Sequence, residues 1–366
     1  MHQVDGQVGA PGAGSTPDAL AGELCELGRR AGLDAVGIAD ATPFTTTRRH
    51  LEERRARGLA ADMQFTYRNP ERSTDPRRTL PTARSLVVGA LRIPAPHLRP
   101  PAPAKARVAA YARDDYYGDL RNALGAVAER LVEEGWQARV VADDNALVDR
   151  EAAVRAGIGW YGKNANVLLP GRGSWFVLGS VITDAPLPAS TEPVRDGCGT
   201  CDRCITGCPT GAIVEPGVVD ARRCLAWLVQ APGSIPVEFR RAVGDRLYGC
   251  DDCQEVCPIG RGERDEAESE ATSGADESAA WILGASDIDL LDRFGRWYIA
   301  ERDPRYLRRN ALVVLGNAGD AENPGGSDDA HAIALLTRYL DDPDPMLREH
   351  AEWAIAERSR PEVTAP

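Results

Sequence analysis

Residues 198–209 read Cys-Gly-Thr-Cys-Asp-Arg-Cys-Ile-Thr-Gly-Cys-Pro. Four cysteines therefore follow one another at C-x2-C-x2-C-x3-C-P spacing, and a proline follows the fourth. Two residues between successive cysteines permit tight turns, which bring thiolates and inward-pointing backbone N–H groups to one centre. The turn before the proline carries the fourth cysteine away from that centre. The spacing thus predicts a small domain folded around inorganic centres, with the fourth cysteine serving a different centre from the first three.

A second, incomplete run lies downstream, where Cys250, Cys253 and Cys257 precede Pro258. Its first cysteine is missing at the usual distance, and Cys224, well upstream, is the substitute. Eight cysteines then match two 4Fe–4S clusters, which bacterial-type ferredoxins hold with such runs. Because the fourth cysteine crosses over, we assign Cys198, Cys201, Cys204 and Cys257 to cluster 1, and Cys208, Cys224, Cys250 and Cys253 to cluster 2.

Structural zinc is the alternative interpretation of these cysteines. Zinc sites use paired C-x2-C units with four thiolates in total, and a third cysteine at the next step is hard to use at a tetrahedral ion. The spacing therefore favours the clusters. Only Cys25 is left over, and it lies beside the apolar stripe of a helix predicted after Thr16 and Pro17, where we expect a small buried hydrophobe.

The composition of the chain is that of an ordinary globular protein. Its 366 residues, 43% hydrophobic and 27% charged, predict two or three domains. No stretch approaches 18 consecutive apolar residues, and the N-terminus lacks a basic start and an apolar run, so we expect neither a membrane helix nor a signal peptide. These patterns predict a cytoplasmic protein, in which nine cysteines are more often metal ligands than disulfides.

The division of the chain follows from where its periodic patterns start and stop. β-like runs at 34–39, 85–91, 137–142 and 175–182, with helical runs near 46–58 and 118–134, predict an α/β domain. The predicted segments are a flexible tail (1–15), the α/β domain (16–187), a ferredoxin-like domain with two clusters (188–260), an acidic linker or loop (261–280) and helical repeats (281–360).

The helical end of the chain contains a weak repeat. Residues 307–312 and 347–352 lie 40 positions apart, and each follows an Asp-Pro pair, Asp303-Pro304 and Asp344-Pro345. This period, with Asp-Pro before an arginine-bearing amphipathic helix, is typical of HEAT-like helix pairs.

Three further stretches accompany the cysteine runs, at 142–150 (ADDNALVDR), 156–164 (AGIGWYGKN) and 173–179 (GSWFVLG). In this order and spacing, and together with the cysteine runs, they resemble the epoxyqueuosine reductase family. The resemblance extends from roughly residue 20 to residue 360, and it is far more specific than the cysteine runs alone.

The resemblance implies an oxidoreductase that depends on cobalamin and two 4Fe–4S clusters. Such an enzyme reduces the epoxide of epoxyqueuosine to the alkene of queuosine at the wobble position of tRNA. The implied fold is an α/β cobalamin-binding domain similar to that of reductive dehalogenases, then a bacterial-type two-cluster ferredoxin domain, then an α-helical tail of HEAT-like repeats. The implied partners are a tRNA that carries epoxyqueuosine and an unidentified electron donor, and we expect a monomer that does not bind a membrane.

The resemblance also implies a catalytic acid. Asp143 matches the family's acid position, directly after a predicted strand. A carboxylic acid there can protonate the alkoxide that forms when the epoxide opens, provided that burial raises its pKa enough to keep it protonated near neutral pH. In the alternative interpretation, Asp143 is the N-cap of the following helix.

The other site residues are carried over by position. The expected cobalamin contacts are Arg68, Asp143, Lys163, Asn164, Val167, Ser174, Leu178 and Asp251, and the expected substrate contacts are Asp115, Arg305, Arg308 and Arg309. Lys163 is one of only two lysines among 43 basic residues, although an ordinary surface lysine is the alternative. The family shows a glycine near Asp114 and a histidine at Tyr117, so the chain departs from the family around Asp115.

A tRNA partner requires cations, yet the formal net charge is −12. Residues 48–84 nevertheless contain ten arginines against five acids, and residues 296–309 contain five against two. These stretches are either RNA contacts or charged helix faces. Trp160, Tyr161 and Trp175 are candidates for a pocket around a splayed-out base, with core packing as the alternative.

Two other function classes remain open from the sequence. A reductive dehalogenase uses the same cofactors but leaves the helical tail unexplained. An iron–sulfur electron carrier without its own substrate leaves the α/β domain and Asp143 without a role.

Overall fold

The computed structural model describes residues 16–95, 105–190, 192–260, 276–318 and 327–360. The predicted tail (1–15) and most of the predicted acidic linker (261–275) lie outside the described residues. The strands are β1 (Ala35–Asp40), β2 (Ser85–Arg92), β3 (Lys105–Val108), β4 (Ala138–Ala142), β5 (Trp160–Tyr161), β6 (Val167–Leu168), β7 (Phe176–Thr183), β8 (Ile213–Glu215), β9 (Val218–Val219), β10 (Arg246–Tyr248) and β11 (Asp276–Ser278).

The helices vary widely in length. They are α1 (Pro17–Arg30), α2 (Thr45–Ala56), α3 (Phe65–Arg68), α4 (Pro70–Ser73), α5 (Tyr116–Glu133), α6 (Asp149–Arg155), α7 (Arg203–Thr206), α8 (Leu225–Leu228), α9 (Val237–Val243), α10 (Asp252–Glu255), α11 (Ala279–Gly284), α12 (Asp287–Phe294), α13 (Arg305–Asn317), α14 (Ser327–Arg338) and α15 (Pro345–Arg358). Short 3₁₀ turns occur at Pro76–Arg78, Ala110–Ala112, Ala300–Arg302 and Tyr339–Asp341.

A four-stranded antiparallel sheet in the order β1-β2-β7-β4 forms the centre of the α/β region. All four strands predicted from the sequence are therefore confirmed, with boundaries that differ by one residue. Alternate residues of β2 enter two cores, since Val87 packs with α1 and α5, whereas Leu86 and Val88 pack with α6. Both faces of the sheet are covered, which explains why β2 is apolar almost throughout.

The first helix begins as its sequence predicts. The Thr16 hydroxyl accepts a hydrogen bond from the Ala19 backbone N–H, and Pro17 occupies the first turn, where its missing N–H is not needed. Leu20 and Leu24 are buried, and Cys25 packs half-buried beside them.

A second sheet joins segments that the sequence assigns to different domains. β3, from the α/β region, pairs in parallel with β10 of the ferredoxin-like segment and antiparallel with β11. The prediction of a linker or loop is therefore wrong for Asp276–Ser278, because the backbone of these residues completes a sheet with β3. The three segments fold against one another rather than as separate units.

The C-terminal part of the described chain is helical. Helices α13 and α15 pack against each other, and both begin at the predicted Asp-Pro pairs. The Asp344 carboxylate caps α15 by accepting a hydrogen bond from the Met346 backbone N–H at 2.8 Å. These helices share one core with β3 and β10, in which Val108 and Leu247 lie beside Leu312. The assignment to HEAT-like repeats stays a prediction.

Within the described ranges, no helix combines the length and the apolar composition that a membrane crossing requires.

Candidate functional site

The first cysteine run and the end of the second border one cavity. Cys198, Cys201, Cys204 and Cys257 line one open cavity. The short helices α7 and α10, which follow the cysteine turns, pack against each other and bring the two runs together. The fold therefore places Cys257 with the first run, which is the arrangement expected for cluster 1.

The remaining four ligand candidates form a second group. Burial raises the pKa of the Cys253 thiol well above its usual value, and the neighbouring thiols of Cys250 and Cys224 raise it further. Burial also raises the pKa of Cys224, with a smaller contribution from Cys208. The Ala212 backbone N–H donates a hydrogen bond to the Cys208 sulfur at 3.2 Å. The structure thus brings together the set expected for cluster 2.

The chemistry of both groups fits 4Fe–4S clusters. All nine cysteines are free thiols, and eight of them fall into these two sets of four. In the part of the chain that the structure describes, no three His, Cys, Asp or Glu side chains surround a single point closely enough to hold one metal ion. The donor sets are four thiolates for each centre, as cluster ligation requires.

Asp143 lies directly after β4, in a backbone conformation with a φ of 52°. A non-glycine residue in this left-handed region is strained, and such strain often occurs at functional sites. The side chain reaches solvent, yet the surrounding protein displaces enough water to raise the pKa of its carboxyl. The Arg121 guanidinium opposes this shift and the Asp144 carboxylate adds to it.

The alternative role of Asp143 as a helix cap is wrong. Helix α6 begins at Asp149, and its N-cap is Val148, five residues after Asp143. Asp149, the first residue of α6, lies close to the Asp143 loop. Burial raises the pKa of Asp149 well above its usual value, and the Asp143 carboxylate adds to the rise.

The charge of Asp143 acts on three nearby tyrosines. Burial raises the pKa of Tyr111, Tyr117 and Tyr248, and the charge of Asp143 contributes to each shift. The Gln230 side chain donates a hydrogen bond to the Tyr111 hydroxyl at 2.9 Å. Sequence reasoning missed these phenols as site residues, although Tyr111 and Tyr117 flank the Asp115 segment that the resemblance singled out.

Asp115 lies exposed at the start of α5. Its carboxylate accepts a hydrogen bond from the Gly118 backbone N–H at 3.0 Å, and it is therefore the N-cap of this helix. The structure gives Asp115 a structural task, and its contact with substrate stays a prediction.

Several expected cobalamin contacts lie where the α/β region meets the ferredoxin-like segment. The Lys163 ammonium donates hydrogen bonds to the backbone carbonyls of Gly199 and Cys201, both at 2.8 Å. Lys163 therefore holds the first cysteine turn, and its interpretation as an ordinary surface lysine is wrong.

The other members of this group make similar contacts across the same boundary. The Ser174 hydroxyl donates to the Gln254 side chain at 3.0 Å, and the buried Asp251 carboxylate accepts from the Ala110 backbone N–H at 2.8 Å. The buried Asn164 amide lies 3.4 Å from the Cys253 carbonyl.

For the last three expected cobalamin contacts, no hydrogen bond between the α/β region and the ferredoxin-like segment is seen within the described residues. Val167 is buried opposite Tyr161 in the β5–β6 pair, and Leu178 is half-buried in β7. Arg68 is exposed at the end of α3.

The tail arginines differ from one another in their surroundings. Arg309 is fully buried, and its guanidinium donates to backbone carbonyls at Leu228, Val229, Ala231 and Gly233. Its predicted contact with tRNA is therefore wrong, because no phosphate reaches it. Arg308 is bound to Asp287 at 2.6 Å, and Arg305 is half-exposed beside Asp303 and Asp344.

The aromatic residues proposed for a base pocket also differ in their burial. Trp160 and Trp175 are buried, so the core alternative is correct for both. Tyr161 is exposed, with its hydroxyl 3.3 Å from the Glu151 carboxylate.

Known proteins resemble this chain both in the cysteine-rich segment and over most of its length. The family model described as a 4Fe-4S double cluster binding domain matches residues 197–260. The chain is 33% identical over 337 residues to the epoxyqueuosine reductase of Bacillus cereus, covering 88% of this chain and 85% of that one. It is 34% identical over 376 residues to that of Burkholderia pseudomallei, covering 92% and 91%.

Solved structures match over a similar extent. An epoxyqueuosine reductase in complex with an epoxyqueuosine-modified tRNA-Tyr stem loop is 31% identical, with a TM-score of 0.81 and coverage of 93% of this chain and 90% of that one. The enzyme of Bacillus subtilis, solved with its catalytic aspartate loop swung out of the active site, gives the same TM-score and identity. These likenesses extend over nearly the whole chain, which therefore belongs to the epoxyqueuosine reductase family.

Proposed function

We propose that this chain reduces epoxyqueuosine at the wobble position of tRNA to queuosine, with cobalamin supplied with electrons by two 4Fe–4S clusters. The observation that carries the proposal is the Asp143 loop: a strained acid with a raised pKa follows β4 in the same fold that holds both thiol groups. The related enzyme of Bacillus subtilis carries a catalytic aspartate loop.

The proposed reaction removes the epoxide oxygen as water and consumes two electrons and two protons. Reduced cobalamin, when bound, supplies the electrons that open the C–O bond. The task of Asp143 is to donate a proton to the oxygen as negative charge develops there, and the raised pKa of its carboxyl favours the protonated form that this task needs.

The residues at the boundary with the ferredoxin-like segment fit a corrin. Asn164, Ser174 and Asp251 place an amide, a hydroxyl and a carboxylate beside the thiol-bearing turns, and such groups can bond the carboxamides at the edge of a corrin. Together with Arg68, Lys163, Val167 and Leu178, they are the proposed cobalamin contacts. A short path from the clusters to a corrin at this boundary would allow one-electron transfer.

The support for a tRNA substrate is the complex that a relative forms with a modified stem loop, together with the exposed arginines of α2 to α4. Arg305 and Arg308 stay proposed substrate contacts, as does Asp115. The electron donor, a monomeric state, cytoplasmic location and HEAT-like repeats belong to the same proposal.

The test is anaerobic reconstitution of the full chain with iron, sulfide and cobalamin, followed by incubation with a reductant and epoxyqueuosine-bearing tRNA. Nucleoside analysis should show queuosine only when both cobalamin and the clusters are present. Queuosine formed at an undiminished rate without cobalamin would overturn the cofactor assignment. No queuosine from a chain that holds both clusters and bound cobalamin would overturn the function.

A further inference from the structure

Three aromatic side chains from distant parts of the chain meet at the surface. Phe65 of α3 and Tyr298, which follows α12, have ring centroids 5.4 Å apart, and Trp227 of α8 stacks on Tyr298 with centroids 6.5 Å apart. Trp227 is buried and supports the Tyr298 ring, whereas 38% of Tyr298 is exposed. The Tyr298 ring is therefore packed against two other rings and remains partly exposed to solvent.

This aromatic cluster is connected to the surroundings of Asp143. The Tyr248 hydroxyl donates a hydrogen bond to the Tyr298 backbone carbonyl at 3.2 Å. The ring of Tyr248 lies 6.2 Å from that of Tyr111. Both of these phenols lie within the electrostatic reach of the Asp143 carboxylate. The Tyr298 backbone is thus connected through Tyr248 to the surroundings of Asp143.

The segment that carries Tyr298 is held in a strained conformation. Glu301 and Arg302 both have positive φ, at 56° and 55°, which is unfavourable for two consecutive non-glycine residues. Trp297 fixes the segment to the α/β region, because its indole N–H donates to the Ala112 carbonyl at 2.8 Å. The Trp297 bond anchors the residue directly before Tyr298, and the Tyr248 hydroxyl bonds the Tyr298 carbonyl, so two other elements position Tyr298 before any ligand arrives.

Exposed positive charge accompanies the ring. Arg296 and Arg302 lie on the same segment as Tyr298, and Arg68 ends the short helix that contains Phe65. Exposed aromatic faces next to arginines are what unpaired RNA nucleotides require, since every base has a face to stack and every phosphate carries a charge.

We infer that Tyr298 and Phe65 form a stacking platform for an unpaired nucleobase next to the modified nucleotide in the anticodon loop. This inference rests on the proposed function, which supplies the RNA. The platform positions the loop so that the modified base enters beside Asp143, and it accepts any base because stacking does not read hydrogen-bonding edges.

The test compares Tyr298→Leu and Tyr298→Phe with the control Trp281→Ala. Leucine keeps apolar packing against Trp227 but has no aromatic face, whereas phenylalanine keeps the face. Trp281 lies on α11 with a similar exposed fraction of 40%. Equilibrium binding of an anticodon stem loop to the reconstituted chain, followed by fluorescence anisotropy, needs no turnover.

The Leu variant should bind the stem loop about tenfold more weakly. The Tyr298→Phe variant and the Trp281→Ala control should bind the stem loop with an affinity within about twofold of wild type. In turnover assays, KM should rise with little change in kcat. Unchanged affinity in the Leu variant, with intact iron content and far-UV circular dichroism, would overturn the platform.

Failure of the platform can be told apart from failure of the proposed function. Wild-type chain that binds the stem loop but forms no queuosine would contradict the function and leave the platform supported if Tyr298→Leu weakens binding. If the Leu variant does not fold, Phe65→Leu tests the other ring in the same assay, and unchanged binding would overturn the platform.

Discussion

At the scale of single residues, Asp143 combines exposure with a raised pKa. The positive φ after β4 turns the residue out of the sheet, close to Asp149. Removal of surrounding water is the largest cause of the pKa shift of Asp143. An acid in this setting keeps its proton to a higher pH than a surface aspartate, without being sealed from substrate.

Replacing Asp143 with asparagine should preserve both clusters and cobalamin binding but lower turnover at least about 100-fold, because the amide cannot donate the required proton. The pKa of Asp143 is raised, so wild-type activity should fall as pH rises through that value, since only the protonated carboxyl donates. The rate of queuosine formation, measured from pH 5 to pH 9, checks both statements.

Asp144→Asn is the matched control, because the Asp144 charge raises the pKa of Asp143, and the asparagine oxygen can still accept the hydrogen bond from the Ala146 backbone N–H. It should keep most of the activity and lower the pH at which activity falls. Wild-type turnover in Asp143→Asn would remove the proton-donating role.

At the scale of secondary-structure elements, α13 is hydrogen-bonded to the ferredoxin-like segment. Arg309 binds carbonyls of residues 228–233, just after α8, and the Asn310 amide donates to the carbonyls of Val229 and Leu247 at 2.7 and 2.9 Å. Cys224 is the N-cap of α8 and Cys250 lies three residues after Leu247. Both elements that carry these cluster 2 ligands are therefore tied to the tail.

Replacing Arg309 with methionine should selectively impair cluster 2. Several buried carbonyls lose their donor, which should lower the free energy of unfolding by on the order of 3 kcal/mol. Iron should fall from roughly eight to roughly four atoms per chain. Iron analysis and electron paramagnetic resonance of the reduced protein measure this change.

Arg308→Met is the control, because Arg308 binds Asp287 and the Ala285 carbonyl within the tail and none of the cysteine-bearing elements. Full iron content and an unchanged resonance spectrum in Arg309→Met would show that Arg309 does not position cluster 2.

Burial lowers the pKa of Arg309 to about 9, so its guanidinium stays charged at neutral pH.

The same elements show what sequence reasoning can reach. The strands of the main sheet and the starts of α13 and α15 were predictable, because alternation, capping and Asp-Pro pairs are local signals. The β10-β3-β11 sheet was not, since its partners are far apart in sequence and Asp276–Ser278 lies in an acidic stretch without a β pattern. Arg309 was misassigned because its partners are backbone carbonyls, which side-chain identities do not reveal.

At the scale of the whole molecule, the α/β region, the ferredoxin-like segment and the helical tail pack against one another. A strand of the α/β region completes a sheet of the ferredoxin-like segment, and Lys163 holds the first cysteine turn from across the boundary. The aromatic cluster that contains the proposed platform takes one ring each from the α/β region, the ferredoxin-like segment and the helical tail. These contacts join the cysteine-bearing turns to the α/β region, which suits an enzyme that must bring electrons, a proton and a tRNA base to one place.

The central claim is that the chain performs a two-electron reduction of the epoxide within tRNA. The most direct test is mass spectrometry of nucleosides after the reconstituted, cobalamin-loaded chain receives a titrated amount of reductant. The account predicts one queuosine for every two electrons delivered and an alkene as the only new nucleoside. A diol from epoxide hydrolysis, or unchanged epoxyqueuosine after the electrons are consumed, would contradict it.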